Sequence, residues 1–324
     1  MCKITIKKMR KMPQQPEKRL TNKSSPIDIS INITNYRSKI YRFPQESYFQ
    51  ESWYSLCEYF SESKIQGLDN YTFILFKPDA ALGRCIARTL GYMHELGFDP
   101  IFYKSLRLNR HSIRELWRYE LNISSPERYP VIDRLLQHAD SMFVLFKQRT
   151  VADTSACVFV QNIKGSSLIK KRKSHHIRSV INAYDGTLNF IHTPDETIDL
   201  IRELGVLFDA TERQKIIQCI IASKSISIDV DVKEIETLFY SEIPEADFDI
   251  VKMISEYTKD PLPSNLDISL DEGKRWVADH LQEVLKSNST LSWWDQTILI
   301  AYAMFPNSDK IERILDYEKK RLFD

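Results

Sequence analysis

Residues 187–204, with the sequence TLNFIHTPDETIDLIREL, are the stretch from which we interpret the fold. The apolar residues at its start predict a strand that ends at His192. Thr193 is a favourable N-cap, and Pro194 suits the first position of a helix. Thr193 and Glu196 also match the S/T-x-x-E capping box. The sequence therefore predicts that a helix follows the strand at once and that His192 lies at their junction.

An imidazole held at such a junction can act as a nucleophile. Neutral imidazole can attack a phosphorus atom when another group holds its second ring nitrogen. Glu203 lies on the same predicted helix and is the candidate for that group. The alternative is that His192 is a histidine at a strand end without any chemistry. Motifs elsewhere in the sequence are needed to distinguish these two interpretations.

The composition indicates about two domains with sizeable hydrophobic cores, because 43% of the 324 residues are hydrophobic. The 45 Lys and Arg nearly balance the 44 Asp and Glu, so the net charge of +1 gives no general argument for a nucleic-acid or membrane partner. No apolar run reaches membrane-spanning length, and the N-terminus lacks the apolar core of a signal peptide. We therefore expect a cytoplasmic protein without a membrane partner.

The cysteines and histidines do not have the spacing of a metal site. The five cysteines form no CxxC pair, which favours reduced thiols over a disulfide framework or a zinc site. His175 and His176 are adjacent and lack Cys or carboxylate ligands at a suitable spacing. We therefore predict no metal held by protein side chains.

Charge and aromatic content divide the N-terminal part of the chain into two segments. Residues 1–35 form a basic, flexible arm, since residues 1–23 carry eight Lys or Arg against Glu17 alone. The arm is either a solubilising tail or a nucleic-acid contact. Residues 36–68 are rich in aromatic side chains. We expect a helix over 46–63 that packs against the next domain or a partner subunit.

Residues 69–208 have the pattern of an α+β domain. The first strand, at 71–76, ends in Lys77-Pro78-Asp79, and the fourth strand ends at His192. We expect helices to cover one antiparallel sheet. Between these strands the sequence predicts a helix at 80–96 closed by Gly97, a strand at 98–108, helices at 111–121 and within 126–138, a strand at 142–146, and a helix at 155–163 that follows Asp153 or Thr154.

Residues 209–324 are predicted to form an α-helical domain. This part shows no catalytic constellation, and Trp293 and Trp294 are better explained as anchors of a helical core than as a ligand site. The predicted helices lie at 212–221, 232–239, 246–257, 270–286, 293–304 and 310–322.

Several features of the central domain, in this order along the chain, resemble the nucleoside diphosphate kinase family. They are Lys77-Pro78-Asp79 after the first strand, Gly97-Phe98 at the family spacing, Ile177-Arg178, Asn189-x-x-His192, and Glu203 eleven residues beyond the histidine. The resemblance covers about residues 70–207. It implies a ferredoxin-like α/β sandwich with a four-stranded antiparallel sheet. It also implies transfer of a terminal phosphate through a phosphohistidine.

The resemblance implies catalytic roles for the residues that match these motifs. His192 is the nucleophile, and Glu203 orients its imidazole. Lys77 contacts the phosphates and the ribose, Asn189 hydrogen-bonds the sugar hydroxyl, and Arg178 binds phosphate. The implied substrate is ATP or another nucleoside triphosphate, with Mg²⁺ held through its phosphates.

The same alignment implies further nucleotide contacts. Tyr119 lies near the position of the family's tyrosine close to the histidine. Gly165-Ser166-Ser167 falls on the family's Gly-Glu-Thr, so Ser167 replaces a phosphate-binding threonine. Arg128 and Tyr129 fall on the helical hairpin that clamps the base, where the ring of Tyr129 would stack on it.

The sequence departs from the family at the phosphate site. Gln161 stands where the family has a second phosphate-clamping arginine, and the lost charge-assisted contact costs about 1.5–3 kcal/mol if nothing replaces it. The basic loop, residues 164–178, contains no acidic residue. It is either a phosphate- or acceptor-binding element or a solvated loop. Its cations that could replace the arginine are Lys164, Lys170 and Lys171.

Four functional hypotheses follow. The first is an enzyme, a phosphotransferase that passes the γ-phosphate of ATP or another nucleoside triphosphate through His192 to a nucleoside diphosphate or a specialised acceptor. The second is a catalytically weakened nucleotide sensor coupled to the helical region. The third transfers a nucleotidyl group, with His192 as base. The fourth is a nucleic-acid adaptor that uses residues 1–23 and the basic loop. Members of the family usually assemble, so a homo-oligomer is expected by analogy.

Overall fold

The computed structural model describes residues 33–60, 65–126, 128–225, 228–246, 248–257, 263, 271–287 and 291–304. Most of the basic arm, and the helix predicted over 310–322, lie outside the described residues.

Four strands form one antiparallel sheet in the order β2-β3-β1-β4. They are β1 (Tyr71–Phe76), β2 (Phe98–Leu106), β3 (Ser141–Gln148) and β4 (Ile191–His192). Helices connect β1 to β2 and β3 to β4, with further helices between β2 and β3. This strand order is that of a ferredoxin-like sheet. The predicted α+β class with a four-stranded antiparallel sheet is therefore confirmed.

The central strand β1 determines where His192 lies. All six side chains of its run YTFILF are buried, and Phe73 packs on Phe143 of β3 with ring centroids 4.7 Å apart. A continuous apolar run is typical of a strand covered on both faces. Leu75 of β1 pairs in register with His192, which is the last residue of β4 as predicted. The buried sheet thus fixes the backbone of the histidine.

The described helices surround this sheet and continue into the C-terminal region. None of them is both long and apolar enough to cross a membrane. In chain order they are α1 (Arg37–Arg42), α2 (Ser47–Cys57), α3 (Pro78–Leu82), α4 (Ile86–Glu95), α5 (Arg110–Leu116), α6 (Arg118–Leu121), α7 (Arg128–Gln137), α8 (Ala156–Lys164), α9 (Ile177–Val180), α10 (Thr197–Leu207), α11 (Ala210–Ala222), α12 (Val232–Tyr240), α13 (Ile250–Tyr257), α14 (Asp271–Ser287) and α15 (Trp293–Ala303).

Two long helices of the prediction are broken in the structure. The helix predicted at 80–96 is divided into α3 and α4 at Gly83. A Cβ at Gly83 would lie 2.5 Å from the ring of Phe190, so the break allows that ring to pack against the backbone. The helix predicted at 111–121 is divided into α5 and α6 at Trp117.

Two other helices differ at their ends. The helix predicted over 46–63 is the shorter α2, Ser47–Cys57. The helix predicted after Asp153 or Thr154 is capped instead by Ser155, whose hydroxyl accepts a hydrogen bond from the backbone of Val158.

The helix after His192 begins later than the capping-box pattern predicts. α10 starts at Thr197, with Glu196 as its N-cap, and the backbone N–H of Glu196 donates to the carboxylate of Asp199 at 2.9 Å. Thr193 is fully buried, and its hydroxyl has no hydrogen-bond partner among the described residues. The prediction of a Thr193 cap is wrong because Glu196 and Asp199 form a competing capping box.

The aromatic N-terminal segment packs on α10 through α2 and buried ion pairs. Lys39 Nζ lies 3.0 Å from Glu196 Oε2 and 2.5 Å from Asp199 Oδ2. Arg202 pairs with Glu46 in the same way. Burial lowers the pKa of Lys39, but the carboxylates of Asp199 and Glu196 raise it more, so the net shift is upward. The segment therefore packs against the central domain, the first of the two predicted alternatives.

The C-terminal region is helical, as predicted, and packs against the central domain, with contacts that include those of α15 and α14. Trp293 stacks on His138 with centroids 3.5 Å apart, and the guanidinium of Arg134 lies over the same indole. Lys274 on α14 forms an ion pair of 2.9 Å with Asp185, in the segment that leads to β4.

Candidate active site

The side chains of His192 and Glu203 form a hydrogen-bonded pair. His192 Nε2 lies 2.7 Å from Glu203 Oε2, and the two side chains are 15% and 8% exposed. A carboxylate at this distance selects the tautomer that carries its proton on Nε2. The lone pair of Nδ1 is then available to an electrophile. The arrangement is the one that the spacing of the two residues predicts, while their catalytic roles remain a proposal.

The aromatic residues that pack near His192 include Trp117 and, at a centroid distance of 6.1 Å, Phe73. Trp117 is the nearer of the two. Its ring meets the imidazole edge-on, with centroids 5.2 Å apart and an interplanar angle of 74°. Tyr119, expected beside the histidine, instead donates its hydroxyl to Glu46 and stacks on Phe43. Tyr119 thus lines neither of the two cavities around His192, and its predicted contact with a nucleotide stays a prediction.

Lys77 lies at the end of β1 and is bound by the chain itself. Its Nζ donates to the carbonyl of Thr187 at 2.9 Å and lies 3.3 Å from Asp79 Oδ2. The same carboxylate oxygen accepts from the backbone of Phe190 at 2.9 Å. Burial lowers the pKa of Lys77, although the carboxylate of Asp79 opposes the shift. Lys77-Pro78-Asp79 therefore holds the loop that leads to His192.

Arg178 is similarly engaged with the loop around Asn189. It donates to the carbonyls of Gly165 and Ile191, both at 2.8 Å, and to the carbonyl and side-chain oxygen of Asn189 at 3.2 Å. Asn189 donates in turn to the carbonyl of Gly186 at 2.7 Å. Burial lowers the pKa of Arg178, but a guanidinium remains charged at neutral pH. Arg178 thus contributes positive charge while most of its donors are occupied.

His192 lies where two cavities meet. The larger has a volume of about 1080 Å³ and the smaller about 120 Å³. Both are lined by Trp117, Glu120, Arg178 and His192. A cavity of about 300–1,000 Å³ suits a drug-sized ligand, so the larger cavity has room for one beside the histidine.

The structure divides the predicted nucleotide-binding residues among three places. Lys77, Arg128 and Asn189 line the smaller cavity, whereas Ser167 lines the larger one. Tyr129 lines neither, because it borders a separate surface cavity of about 660 Å³ and donates its hydroxyl to the carbonyl of Leu121. Arg128 has one donor 3.3 Å from the hydroxyl of Ser124. The predicted set is therefore brought together only in part.

Of the three lysines that could replace the arginine, Lys164 reaches the larger cavity. It lines this cavity together with Gln161, while Lys170 and Lys171 do not. Its Nζ is 3.8 Å from Asp195 Oδ1, and burial lowers its pKa against the opposing effect of that carboxylate. A lysine thus lines the same cavity as Gln161.

The residues that line these cavities but were not predicted from the sequence include Trp117, Glu120 and Asp195. Trp117 lies two residues before Tyr119, so a shift of the expected aromatic position by two residues would have found it. Asp195 directly precedes Glu196, the N-cap of α10, and lines the larger cavity.

The residues that line the cavities fit a polyphosphate better than a protein-held metal. Lys164, Arg178, Lys77 and Arg128 supply positive charge around His192. Lys and Arg are the side chains that bind phosphate most strongly. Within the described part of the chain, no group of three or more His, Cys, Asp or Glu is arranged to hold a metal ion. Mg²⁺ commonly binds through substrate phosphates with few protein ligands.

Among known proteins, those found to be similar to this chain are solved structures. No protein-family model and no curated protein matches the sequence. A nucleoside diphosphate kinase of Aquifex aeolicus is 19% identical, covers 44% of this chain and 97% of its own, and has a TM-score of 0.37. A nucleoside diphosphate kinase family protein from Babesia bovis is 14% identical, covers 44% of this chain and 90% of its own, and has a TM-score of 0.36. A halophilic nucleoside diphosphate kinase from Halobacterium salinarum, in complex with CDP, is 16% identical, covers 43% of this chain and 87% of its own, and has a TM-score of 0.35.

Proposed function

We propose that this chain is a nucleotide-dependent phosphotransferase that carries the γ-phosphate of ATP, or of another nucleoside triphosphate, on His192. The observation that carries the proposal is the 2.7 Å hydrogen bond between His192 Nε2 and Glu203, at the junction of two cavities lined by cations. A nucleophilic imidazole needs a fixed tautomer and compensation for the charge of the transferred group. These residues supply both.

The reaction follows from the geometry of the pair. The lone pair of His192 Nδ1 attacks the γ-phosphorus, the bond to the β–γ bridging oxygen breaks, and ADP leaves with that electron pair. The imidazole becomes positively charged as the N–P bond forms, and the carboxylate of Glu203 stabilises this charge. The acceptor then displaces the imidazole from phosphorus. It is a nucleoside diphosphate or a specialised molecule.

The surrounding cations have two tasks. Lys164 and Arg178 line the larger cavity, where they offset negative charge on the phosphoryl oxygens. Lys77 fixes the loop before His192 through Thr187 and so keeps the imidazole in place. Mg²⁺ bound to the phosphates of the nucleotide would neutralise further charge.

Incubation of the full chain with ATP labelled at the γ-phosphate tests the proposal. The wild type should take up an acid-labile, alkali-stable label, which is the behaviour of a phosphohistidine. The His192→Asn variant should take up none. His175→Asn is the matched control, because His175 is exposed and lines neither cavity. Its labelling should equal that of the wild type. A folded wild-type protein that takes up no label contradicts the proposal.

A second candidate function is a nucleotide sensor with little turnover. It is favoured by the engagement of Lys77 and Arg178 with carbonyl groups of the chain, which leaves fewer donors for phosphate oxygens. In this case calorimetry should detect ATP binding to the wild type, while the labelling experiment detects no transfer to His192 or to any nucleoside diphosphate. Transfer of label to a diphosphate excludes the sensor.

A further inference from the structure

The larger cavity extends along one face of α8. The spacing of the residues on this face is that of one side of a helix, and those that line the cavity are Thr154, Val158, Gln161 and Gly165. α8 has nine residues, so it is about 14 Å long. Cys157, near the start of α8, donates to the carbonyl of Tyr71, the first residue of β1, at 3.3 Å. α8 and β1 therefore begin at the same end of the cavity.

The cations of the cavity lie together at the C-terminal end of α8. Among the described residues, Lys164 and Arg178 are the Lys and Arg that line it. Lys164 is the last residue of α8, and Arg178 donates to the carbonyls of Gly165 and Ile191, both at 2.8 Å. His192 directly follows Ile191. We call Lys164 and Arg178 the basic end of the cavity, and phosphates fit there, beside His192.

The chain after His192 leads to the opposite end of the cavity. His192 pairs with Leu75, near the end of β1. Thr197 donates its hydroxyl to Asp69, which lies two residues before the start of β1. β1 has six residues and is therefore about 20 Å long. Residues 192–197 thus run back along β1, and the residues that contact the start of α10 lie away from the basic end.

The opposite end of the cavity is lined by side chains without a charge, which are Asn35, Tyr36 and Thr154. We call these three residues the neutral end. The backbone N–H of Asn35 donates to Glu196, the N-cap of α10, at 2.8 Å. The carboxylate of Glu196 is compensated by Lys39, whose Nζ lies 3.0 Å away. The cavity therefore has a basic end at the histidine and a neutral end at the N-terminal segment.

The side chains of the neutral end suit a ligand with hydroxyl groups. An amide and a hydroxyl each offer both a hydrogen-bond donor and an acceptor. A site built to hydrogen-bond the hydroxyl groups of a ligand strongly rejects an analogue without them. A second nucleotide would need cations for its phosphates, and the cations of the cavity lie at the basic end. The neutral end therefore favours an uncharged molecule that carries hydroxyl groups.

A hydroxyl acceptor also requires a base, whereas a nucleoside diphosphate does not. The terminal phosphate of a nucleoside diphosphate is largely ionised near neutral pH, as the second pKa of a phosphate ester is about 6. A hydroxyl group carries a proton, and a carboxylate within reach can accept it during the transfer. Glu120 lines both cavities together with His192. Enclosure by the cavity walls and the carboxylate of Asp195 raise the pKa of Glu120, which makes it a stronger proton acceptor.

We infer, on the basis of the proposed function, that the acceptor is an uncharged small molecule with hydroxyl groups, a sugar or a nucleoside, held by the neutral end while one hydroxyl reaches the phosphohistidine. The hydroxyl oxygen attacks phosphorus, an O–P bond forms and the N–P bond at Nδ1 of His192 breaks. The hydroxyl proton passes to the carboxylate of Glu120, and Nδ1 recovers its lone pair. The product is a phosphate monoester of the acceptor.

Transfer of label from the phosphorylated protein tests this inference. The full chain is labelled with γ-labelled ATP, freed of nucleotide, and incubated separately with D-glucose, maltose, myo-inositol, adenosine, cytidine or GDP. At least one of the uncharged molecules should take the label from His192 as an acid-stable phosphate ester. Transfer to glucose, maltose or inositol alone identifies a sugar or polyol as the acceptor. Transfer to adenosine or cytidine alone identifies a nucleoside.

A double variant locates the acceptor at the neutral end. Asn35→Ala with Thr154→Val removes hydrogen-bonding groups there, so the KM for the accepted molecule should rise about tenfold. Thr150→Val with Gln218→Ala is the matched control, because both side chains are exposed and line neither cavity. Its KM should equal that of the wild type. Melting temperatures check that both double variants are folded.

A single variant tests the base. Glu120→Gln should lower the kcat of transfer to the uncharged acceptor about 100-fold, because a positioned base commonly contributes a factor of this order. Glu58→Gln, at an exposed position, is the control and should not change kcat. An unchanged kcat in Glu120→Gln overturns the assignment of the base.

The outcomes separate this inference from the proposed function. Transfer of the label to GDP and to none of the uncharged molecules overturns the inference and leaves the phosphotransferase proposal intact. Release of the label only as inorganic phosphate, at a rate that no uncharged molecule changes, has the same meaning for the inference. The absence of any label on His192 overturns the proposed function as well. An equal KM in the neutral-end variant and its control overturns the location of the acceptor.

Discussion

At the scale of single residues, the position of His192 depends on groups that bind the chain around it. Glu203 holds one ring nitrogen, and Trp117 contacts the imidazole edge-on. Lys77 and Arg178 hold the loop before the histidine through carbonyl groups. The site is therefore preorganised. Removal of one of these contacts should lower the rate of phosphorylation while the protein stays folded.

The Glu203→Gln variant should be phosphorylated 10- to 100-fold more slowly than the wild type. Glutamine can still accept a hydrogen bond, but it lacks the charge that stabilises the positive imidazole. Loss of the corresponding carboxylate beside a metal-bound histidine costs a similar factor. Initial labelling rates at saturating ATP measure the effect, together with the melting temperature as a check of folding. Glu58→Gln, at an exposed position, is the control and should not change the rate. An unchanged rate in Glu203→Gln would contradict the orienting role.

The pairing of His192 with Glu203 could be predicted from the sequence, whereas the contact of the histidine with Trp117 could not. The spacing of eleven residues across a strand end and a helix fixes the first contact locally. The second depends on the break between α5 and α6, where Trp117 has φ −105° and ψ 30°. Tyr119 then finds its partners, Glu46 and Phe43, in a segment about 70 residues away.

At the scale of elements, the contact between α2 and α10 holds the N-terminal segment on the central domain. Gly205 on α10 allows a close approach, since a Cβ there would lie 2.0 Å from the carbonyl oxygen of Tyr48 and 3.3 Å from the Cβ of Ser52. The backbone of α2 cannot yield as a flexible side chain would. A residue larger than glycine would therefore push the two helices apart.

The Gly205→Ala variant should lower the free energy of unfolding by about 1–3 kcal/mol, the usual cost of overpacking. Gly91→Ala is the matched control, because Gly91 also lies within a helix but has no atom within 4 Å of an added Cβ. This control should be neutral or stabilising by up to about 1 kcal/mol. Denaturant unfolding measures both values. Equal changes in the free energy of unfolding for the two variants would contradict the close contact between α2 and α10 at Gly205.

The sequence predicts β1 well and the start of α10 poorly, for a physical reason. The run YTFILF is buried on both faces, so its composition alone marks the strand. Before α10, Thr193 with Glu196 and Glu196 with Asp199 are two capping boxes that overlap. The choice between them is made by Thr34, Asn35 and Lys39, which bind the carboxylate of Glu196 from more than 150 residues away. A local pattern contains no information about these partners.

At the scale of the whole molecule, buried charges join the N-terminal segment to the central domain. The carboxylate of Asp199 is buried, and this burial, with the nearby carboxylates of Asp195 and Glu203, raises its pKa to about 7 against the opposing effect of Lys39. Its ordinary value is 3.8. The folded state therefore binds this proton more tightly than the unfolded state does.

The stability of the protein should consequently depend on the ionisation of Asp199. Its contribution is fully present below the unfolded pKa of 3.8 and is lost as the pH rises through about 7. Asp199→Asn removes this titration. Between about pH 4 and pH 7, the free energy of unfolding of the wild type should therefore fall relative to that of Asp199→Asn. Denaturant unfolding across this range measures the difference, and parallel curves for the two proteins would contradict the assignment.

The C-terminal helices connect the periphery of the molecule to the loop before His192. Lys274 pairs with Asp185, and Phe248 packs on both Tyr184 and Phe190. The helical character of this region could be predicted from the spacing of its apolar residues. Its contacts with the site could not, because each joins positions far apart in the sequence. The helical region therefore packs on the segment that leads to His192.

The identity of the phosphorylated nitrogen tests the central claim most directly. Full-length protein incubated with ATP can be examined by ³¹P and ¹⁵N nuclear magnetic resonance after selective labelling of its histidines. Because Glu203 holds Nε2 at 2.7 Å, we predict a single phosphohistidine at His192, with phosphorus bonded to Nδ1. Phosphorus on Nε2, or on another histidine while His192 remains unmodified, would contradict the account.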